Sequence, residues 1–211
     1  MTRILYLHGF ASSPSSSKAQ FFREHLEAAG ARVEIPALDG GDFEHLTVTG
    51  QLAIIERAAR GEPVSLIGSS LGGYLAALYA CRHPETARVV MLAPAFDLTR
   101  RWAERLAPEA LEAWRTTGAM EVFHYGDKCR RKLAYDFFED GARYPEFPRF
   151  SQPALIFHGA QDDVVPAVAS REFAAGQSNV RLEVLQSGHD LLDVLDYMAP
   201  KVIAFLSASP S

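Results

Sequence analysis

Cysteine is scarce in this chain: two residues, Cys81 and Cys129, in 211. Their separation fits no metal-ribbon or redox spacing, which excludes a disulfide framework and leaves a pair of buried or free thiols. Excess positive charge is missing too. Lys and Arg number 21 against 26 Asp and Glu, a net charge of −5, so neither nucleic acid nor an anionic membrane is an expected partner. No apolar run approaches the ~20 residues of a membrane span. The first run begins at Ile4 and reaches His8 and Gly9 too soon to serve as a secretory leader, so the expected location is cytoplasmic. The seven histidines are scattered without ligand spacing, which argues against a metal-dependent hydrolase. There is no internal repeat, and the one biased tract is the serine-rich SSPSSSKA.

What is present is an ordinary globular composition, 48% hydrophobic and 22% charged, in a length that suits one domain spanning 1–211. Short β-branched or Leu-rich runs alternate with helical patterns. Strands are expected at 4–7, 32–35, 64–68, 88–92, 154–157 and 181–185. Several are apolar throughout, as parallel strands covered on both faces are. Helices are expected in SSSKAQFFREHLEAAG, with a serine cap and a terminal Gly30, and over 49–60, 72–82, 168–176 and 200–206. This alternation predicts an α/β fold with a doubly wound parallel sheet. The segment 96–152 breaks the rhythm: it has no clean strand, many aromatics, and helix signals at PEALEAWRTTG and RRKLAYDFFEDG. It reads as a helical cap inserted after the fourth strand, over the carboxyl ends where open α/β sheets bind ligands.

LIGSSLGGYLAA places two serines side by side between glycines, after an apolar run and before a helical one. A sharp strand-to-helix turn holds a serine on strained backbone only if the residues two before and two after are small. Around Ser70 these are Gly68 and Gly72; around Ser69 they are Ile67 and Leu71. Ser70 is therefore the candidate nucleophile. A serine hydroxyl needs a neutral imidazole to take its proton, and His189, in QSGHD after the last strand, is the candidate base. LIFHGAQDDVVP offers two carboxylates, Asp162 and Asp163, to orient that imidazole, one of them serving as a turn former or cap. Asp97 in APAFD is a rival acid. The order Ser, Asp, His is that of a known hydrolase arrangement. Backbone N–H groups of Phe10, after YLHG, and of Leu71, after the nucleophile, are candidates for an oxyanion hole. His8 and His158 read as supports of their loops.

With YLHGF, GSSLGG, HGAQDDVVP and SGHD in order, the chain resembles α/β-hydrolase fold serine hydrolases, and LHGFASSPSSSKA resembles the small bacterial YqiA-like esterases. The resemblance implies a catalytic triad of Ser70, Asp162 and His189; in such HG-x-x-D-x-V-P patterns the acid lies four residues after the histidine, which selects Asp162 over Asp163. It also implies a reduced sheet of six strands, because the chain starts directly at the strand carrying HGF. The expected activity is hydrolysis of carboxylic esters or thioesters with small to medium acyl groups, without metal or organic cofactor. The alternatives are a carbon–carbon bond hydrolase of the same fold and a non-catalytic binding protein; the latter predicts a missing triad member, and none is missing.

Trp102, Trp114, Phe123, Tyr125, Tyr135, Phe137 and Phe138 are candidates for an acyl pocket, though aromatics at helical spacing more often fasten an insertion to its domain. They would serve a homodimer as readily. Arg130, Arg131 and Lys132 form a solvated face or, on a sharper reading, meet an anionic leaving group such as the phosphates of an acyl-CoA.

Overall fold

The computed structural model describes residues 3–208. Six strands form one sheet in the order β2-β1-β3-β4-β7-β8: β1 (Arg3–Leu7), β2 (Arg32–Glu34), β3 (Ser65–Ser69), β4 (Val89–Leu92), β7 (Ala154–Gly159) and β8 (Val180–Leu185). Every pairing in it is parallel. The four inner strands are buried along almost their whole length, whereas the edges, the three-residue β2 and β8, are mostly part-exposed. That is why the inner strands read as unbroken apolar runs.

Successive strand residues face opposite sides, and the core divides accordingly. Leu5, Leu66, Met91 and Ile156 pack on one face with α2 (Val48–Ala59), α3 (Leu71–Arg82) and α7 (Val168–Ala175). Ile4, Ile67, Val90 and Leu155 pack on the other with α1 (Ser17–Ala28) and α8 (Leu195–Ser207). The chain runs from β1 out to β2 and returns to β3 on the far side of β1, so strand order reverses between β1 and β3. A crevice opens beyond the carboxyl ends of the strands at such a point.

Three expectations need correction. The last helix begins at Leu195 and carries Pro200 inside it. Proline favours a first turn, but burial of Met198, Ala199, Val202 and Leu206 extends the helix upstream. At α1 the expected cap is only positional, since Ser16 makes no side-chain cap bond. The insertion is not purely helical. After α4 (Leu98–Arg105) and α5 (Pro108–Thr117) come β5 (Ala119–His124) and β6 (Cys129–Ala134), an antiparallel hairpin, and only then the short α6 (Asp136–Gly141). RRKL is strand, not helix.

The inserted elements are fastened by specific contacts. Buried Trp114 donates from Nε1 to the Leu133 carbonyl at 2.9 Å. Asp140 accepts from the Thr49 N–H at 2.7 Å and its hydroxyl at 2.6 Å, tying α6 to α2. The Tyr125 N–H donates to the Ala11 carbonyl at 2.7 Å. Cys81 and Cys129 are free and exposed.

Candidate active site

β3 ends at Ser69, and Ser70 turns the chain into α3 with φ 53° and ψ −117°, a region that L-residues rarely occupy. The surroundings hold it there. The Ser70 N–H donates to the Leu92 carbonyl at 2.8 Å, and its carbonyl accepts from Ala95 at 3.0 Å and Gly73 at 2.9 Å. A Cβ at Gly68 would fall on the Gly72 carbonyl, and one at Gly72 on the Leu7 carbonyl. Gly68 is required because the turn folds back onto it, and Gly72 because the end of β1 crosses it at backbone contact.

The three triad candidates, from three different loops, meet here. His189 Nε2 lies 3.0 Å from Ser70 Oγ, and His189 Nδ1 lies 2.7 Å from Asp162 Oδ2. The carboxylate accepts the Nδ1 proton, leaving Nε2 bare to accept from the serine hydroxyl. Asp162 Oδ1 accepts from the N–H of Val164 at 2.9 Å and of Val165 at 2.7 Å. Burial pushes the Asp162 carboxyl up, but hydrogen bonds from His158, His189 and the Val165 N–H outweigh it and hold the group below the ordinary carboxylate range.

His158 is bonded into the loop that carries Asp162. Its Nε2 donates to the Val165 carbonyl at 2.7 Å and lies 3.1 Å from Asp162 Oδ2, so its Nδ1 accepts from the Ser170 hydroxyl at 2.8 Å. The acid and base loops are also joined: Gln161 N–H donates to the Ser187 carbonyl at 3.0 Å, and a Cβ at Gly159 would strike the carbonyls of Ser187 and Gly188. Asp163 is exposed at the cavity wall. Asp97 is buried in an ion pair with Arg100, away from His189.

Leu71 is the first residue of α3, so its N–H has no intrahelical acceptor. Phe10 follows the His8-Gly9 turn, and His8 braces that turn from within: Nδ1 donates to the Gly9 carbonyl at 3.0 Å and Nε2 accepts from the Leu38 N–H at 3.2 Å. Phe10, Leu71, Ser70 and His189 all border one cavity of about 940 Å³. Trp102, Phe123 and Tyr125 also line it, whereas Trp114, Tyr135 and Phe138 pack inside the insertion and Phe137 packs against Phe10 and Trp102. The basic run stays on the hairpin: Arg131 pairs with Asp127, Arg130 approaches Glu121 at 4.0 Å, and neither they nor Lys132 line the cavity.

The residue that sequence reasoning passed over is Lys18, which lines the cavity and donates to Ser69 Oγ at 3.2 Å. SSPSSSKA links the first strand's carboxyl end to α1, and no spacing in it sets this lysine apart. Among the described residues, no three His, Cys, Asp or Glu side chains gather as a metal site. No helix among them is long and apolar enough to cross a membrane.

The chain has relatives of this architecture. A thermostable monoacylglycerol lipase from Bacillus sp. (strain H-257) is 25% identical, covering 95% of this chain and 86% of its own. Monoacylglycerol lipase ABHD6 from Bos taurus is 22% identical over 90% and 70% of the two chains. Among solved structures, mouse alpha/beta hydrolase domain-containing protein 10 superposes with a TM-score of 0.81 at 19% identity, covering 95% of this chain and 87% of that one. Est1E from Butyrivibrio proteoclasticus with ferulic acid bound gives 0.82 at 20% identity, covering 98% and 88%. These likenesses establish the α/β-hydrolase fold. The model of the uncharacterised protein family UPF0227 matches residues 3–207, and the chain belongs to that family, in keeping with the YqiA-like resemblance of its motifs.

Proposed function

We propose that this protein is a serine hydrolase of carboxylic esters, with thioesters as a second substrate class, acting through an acyl-enzyme. The observation that carries the reading is the unbroken chain from Ser70 Oγ through His189, at 3.0 Å, to Asp162, at 2.7 Å. The monoacylglycerol lipases among its relatives support the same reaction class.

Ser70 Oγ attacks the substrate carbonyl while its proton passes to His189 Nε2, and Asp162 stabilises the imidazolium. The N–H groups of Phe10 and Leu71 hold the oxyanion, each contributing ~3 kcal/mol to lowering the barrier. Collapse expels the alcohol or thiol, which takes the proton from His189. Water then attacks the acyl-serine, giving a proton to His189; that proton returns to Ser70 as the acid leaves. The acyl chain lies against Leu98, Trp102, Leu106, Met120 and Val122, an apolar wall with room for small to medium groups.

Hydrolysis of p-nitrophenyl butyrate by wild type, Ser70→Ala, Ser69→Ala and His189→Ala tests the reading. Turnover is expected in wild type and Ser69→Ala and absent from the other two. Full activity in Ser70→Ala, or none in wild type toward short-chain and medium-chain esters, overturns it.

A further inference from the structure

The basic run first suggested for contact with an anion, Arg130 to Lys132, does not line the cavity, yet the cavity has a cation of its own. Lys18 is the second residue of α1 and borders the cavity beside Ser69, His189 and Asp190. Its Nζ donates to Ser69 Oγ at 3.2 Å, and among the described residues no carboxylate lies within ion-pair distance of it. The carboxylates that act on it from further away are Asp190 and Asp162. Asp162 is already engaged by His189, His158 and two backbone N–H groups. Asp190 is exposed and accepts from the Leu192 N–H at 3.3 Å.

A desolvated ammonium without a counter-ion is costly to keep in a fold. Burial pulls the Lys18 pKa down to about 8, against the attraction of Asp190 and Asp162. Its neighbours leave further hydrogen-bonding capacity unused at the same wall. Tyr6, only 1% exposed, borders the cavity with its Oη beside Ser69 and makes no hydrogen bond within 3.5 Å. Ser16 and Ser17 line the cavity where α1 begins, and the Ser16 hydroxyl is not spent on capping the helix. The first N–H groups of α1 open there too, and a helix N-terminus favours negative charge.

We propose that Lys18, with Tyr6 and the start of α1, binds an anionic substituent, a carboxylate or a phosphate, carried on the leaving group of the substrate. The side is set by the company Lys18 keeps. Asp162 and Asp190 flank His189, the residue that hands its proton to the departing alcohol or thiol, whereas the apolar acyl wall comes from the insertion. This assignment rests on the serine hydrolase reading and gives it a substrate class: esters whose alcohol or thiol half is negatively charged.

Three acetyl esters test it: 4-acetoxybenzoate and 4-acetoxyphenyl phosphate, with anionic leaving groups, and the neutral 4-acetoxybenzamide. In wild type, kcat/KM for at least one anionic ester exceeds that for the amide, and the better of the two names the anion. In Lys18→Met the anionic-to-neutral ratio falls at least tenfold, mainly through KM, and Lys18→Arg restores most of it. A ratio that does not change in Lys18→Met overturns the proposal.

Should Lys18→Met fail to fold, wild type alone still decides. The titratable groups around Lys18 are Tyr6, Asp162, His189 and Asp190, and the charge that attracts the substrate is lost as pH rises through about 8. The anionic-to-neutral ratio therefore falls across that range, and a flat ratio from pH 7 to 9.5 contradicts the assignment. Binding of phenyl phosphate and of benzoate to Ser70→Ala, measured by calorimetry with and without Lys18→Met, separates the two readings. Loss of binding with the lysine supports Lys18 even if no ester is turned over. Ester turnover with no lysine-dependent binding leaves the hydrolase reading standing and overturns this one.

Discussion

Ser70 holds its hydroxyl toward His189 at the cost of a φ of 53°, and the residues around it are chosen by that strain. This is why Ser70 could be singled out in sequence as the candidate nucleophile: Gly68 and Gly72 mark where two backbones touch, and around Ser69 the same positions hold Ile67 and Leu71. The candidate acid was singled out only through the resemblance, because two adjacent aspartates differ in environment, not in chemistry. Asp162 turns inward onto His189 and His158; Asp163 remains exposed. Lys18 was not legible because nothing in a serine-rich loop tells that its lysine returns to the residue before the nucleophile. Asp162→Asn should lower kcat for ester hydrolysis by roughly 10⁴, since an amide favours the wrong imidazole tautomer, measured against wild type at pH 7.5. The same substitution carries a stability signature. A carboxyl whose pKa is depressed on folding stabilises the native state above its unfolded pKa of about 3.9 and loses that contribution as pH falls further. The gap in unfolding free energy between wild type and Asp162→Asn should therefore narrow from pH 6 to pH 3, and urea midpoints along that range measure it.

Among the elements, the inner strands could be read because burial on both faces leaves an apolar run, and α3 because it follows the strained turn. The β5–β6 hairpin was missed although its alternation is present: Met120, Val122 and His124 are more buried than Glu121 and Phe123, which alternate with them, and Leu133 is buried beside exposed Lys132. A hairpin of two strands outside the main sheet leaves little else to recognise, and Leu133, Phe137 and Phe138 fit helical spacing equally well. Packing decides the case, through Trp114 bonded to the Leu133 carbonyl. Trp114→Ala should cost about 3–5 kcal/mol of stability, read by chemical denaturation, and should loosen the insertion before the sheet. At the elbow, Gly72→Ala drives a methyl into the Leu7 carbonyl and should cost about 2–3 kcal/mol. Gly176→Ala, whose added carbon would meet nothing nearer than 3.8 Å, should change stability by less than ~0.5 kcal/mol. Equal effects at the two glycines would contradict the crossing-segment account.

Over the whole molecule, the site is a consequence of strand order. Each contributing strand delivers its carboxyl end to the same edge: His8 to Phe10 after β1, Ser70 after β3, Asp162 after β7 and His189 after β8. Ser70 and His189 are 119 positions apart in sequence, and a parallel sheet with crossovers brings them within hydrogen-bond reach. The insertion adds an apolar wall to the cavity, and α1 adds a cation. The measurement that tests the central claim most directly is labelling of the intact protein with a fluorophosphonate, followed by mapping of the modified peptide by mass spectrometry. One adduct is expected per chain, on Ser70, with its formation slowed at least a hundredfold in His189→Ala. An adduct on Ser69 or elsewhere, or no adduct on folded wild-type protein, would contradict the account.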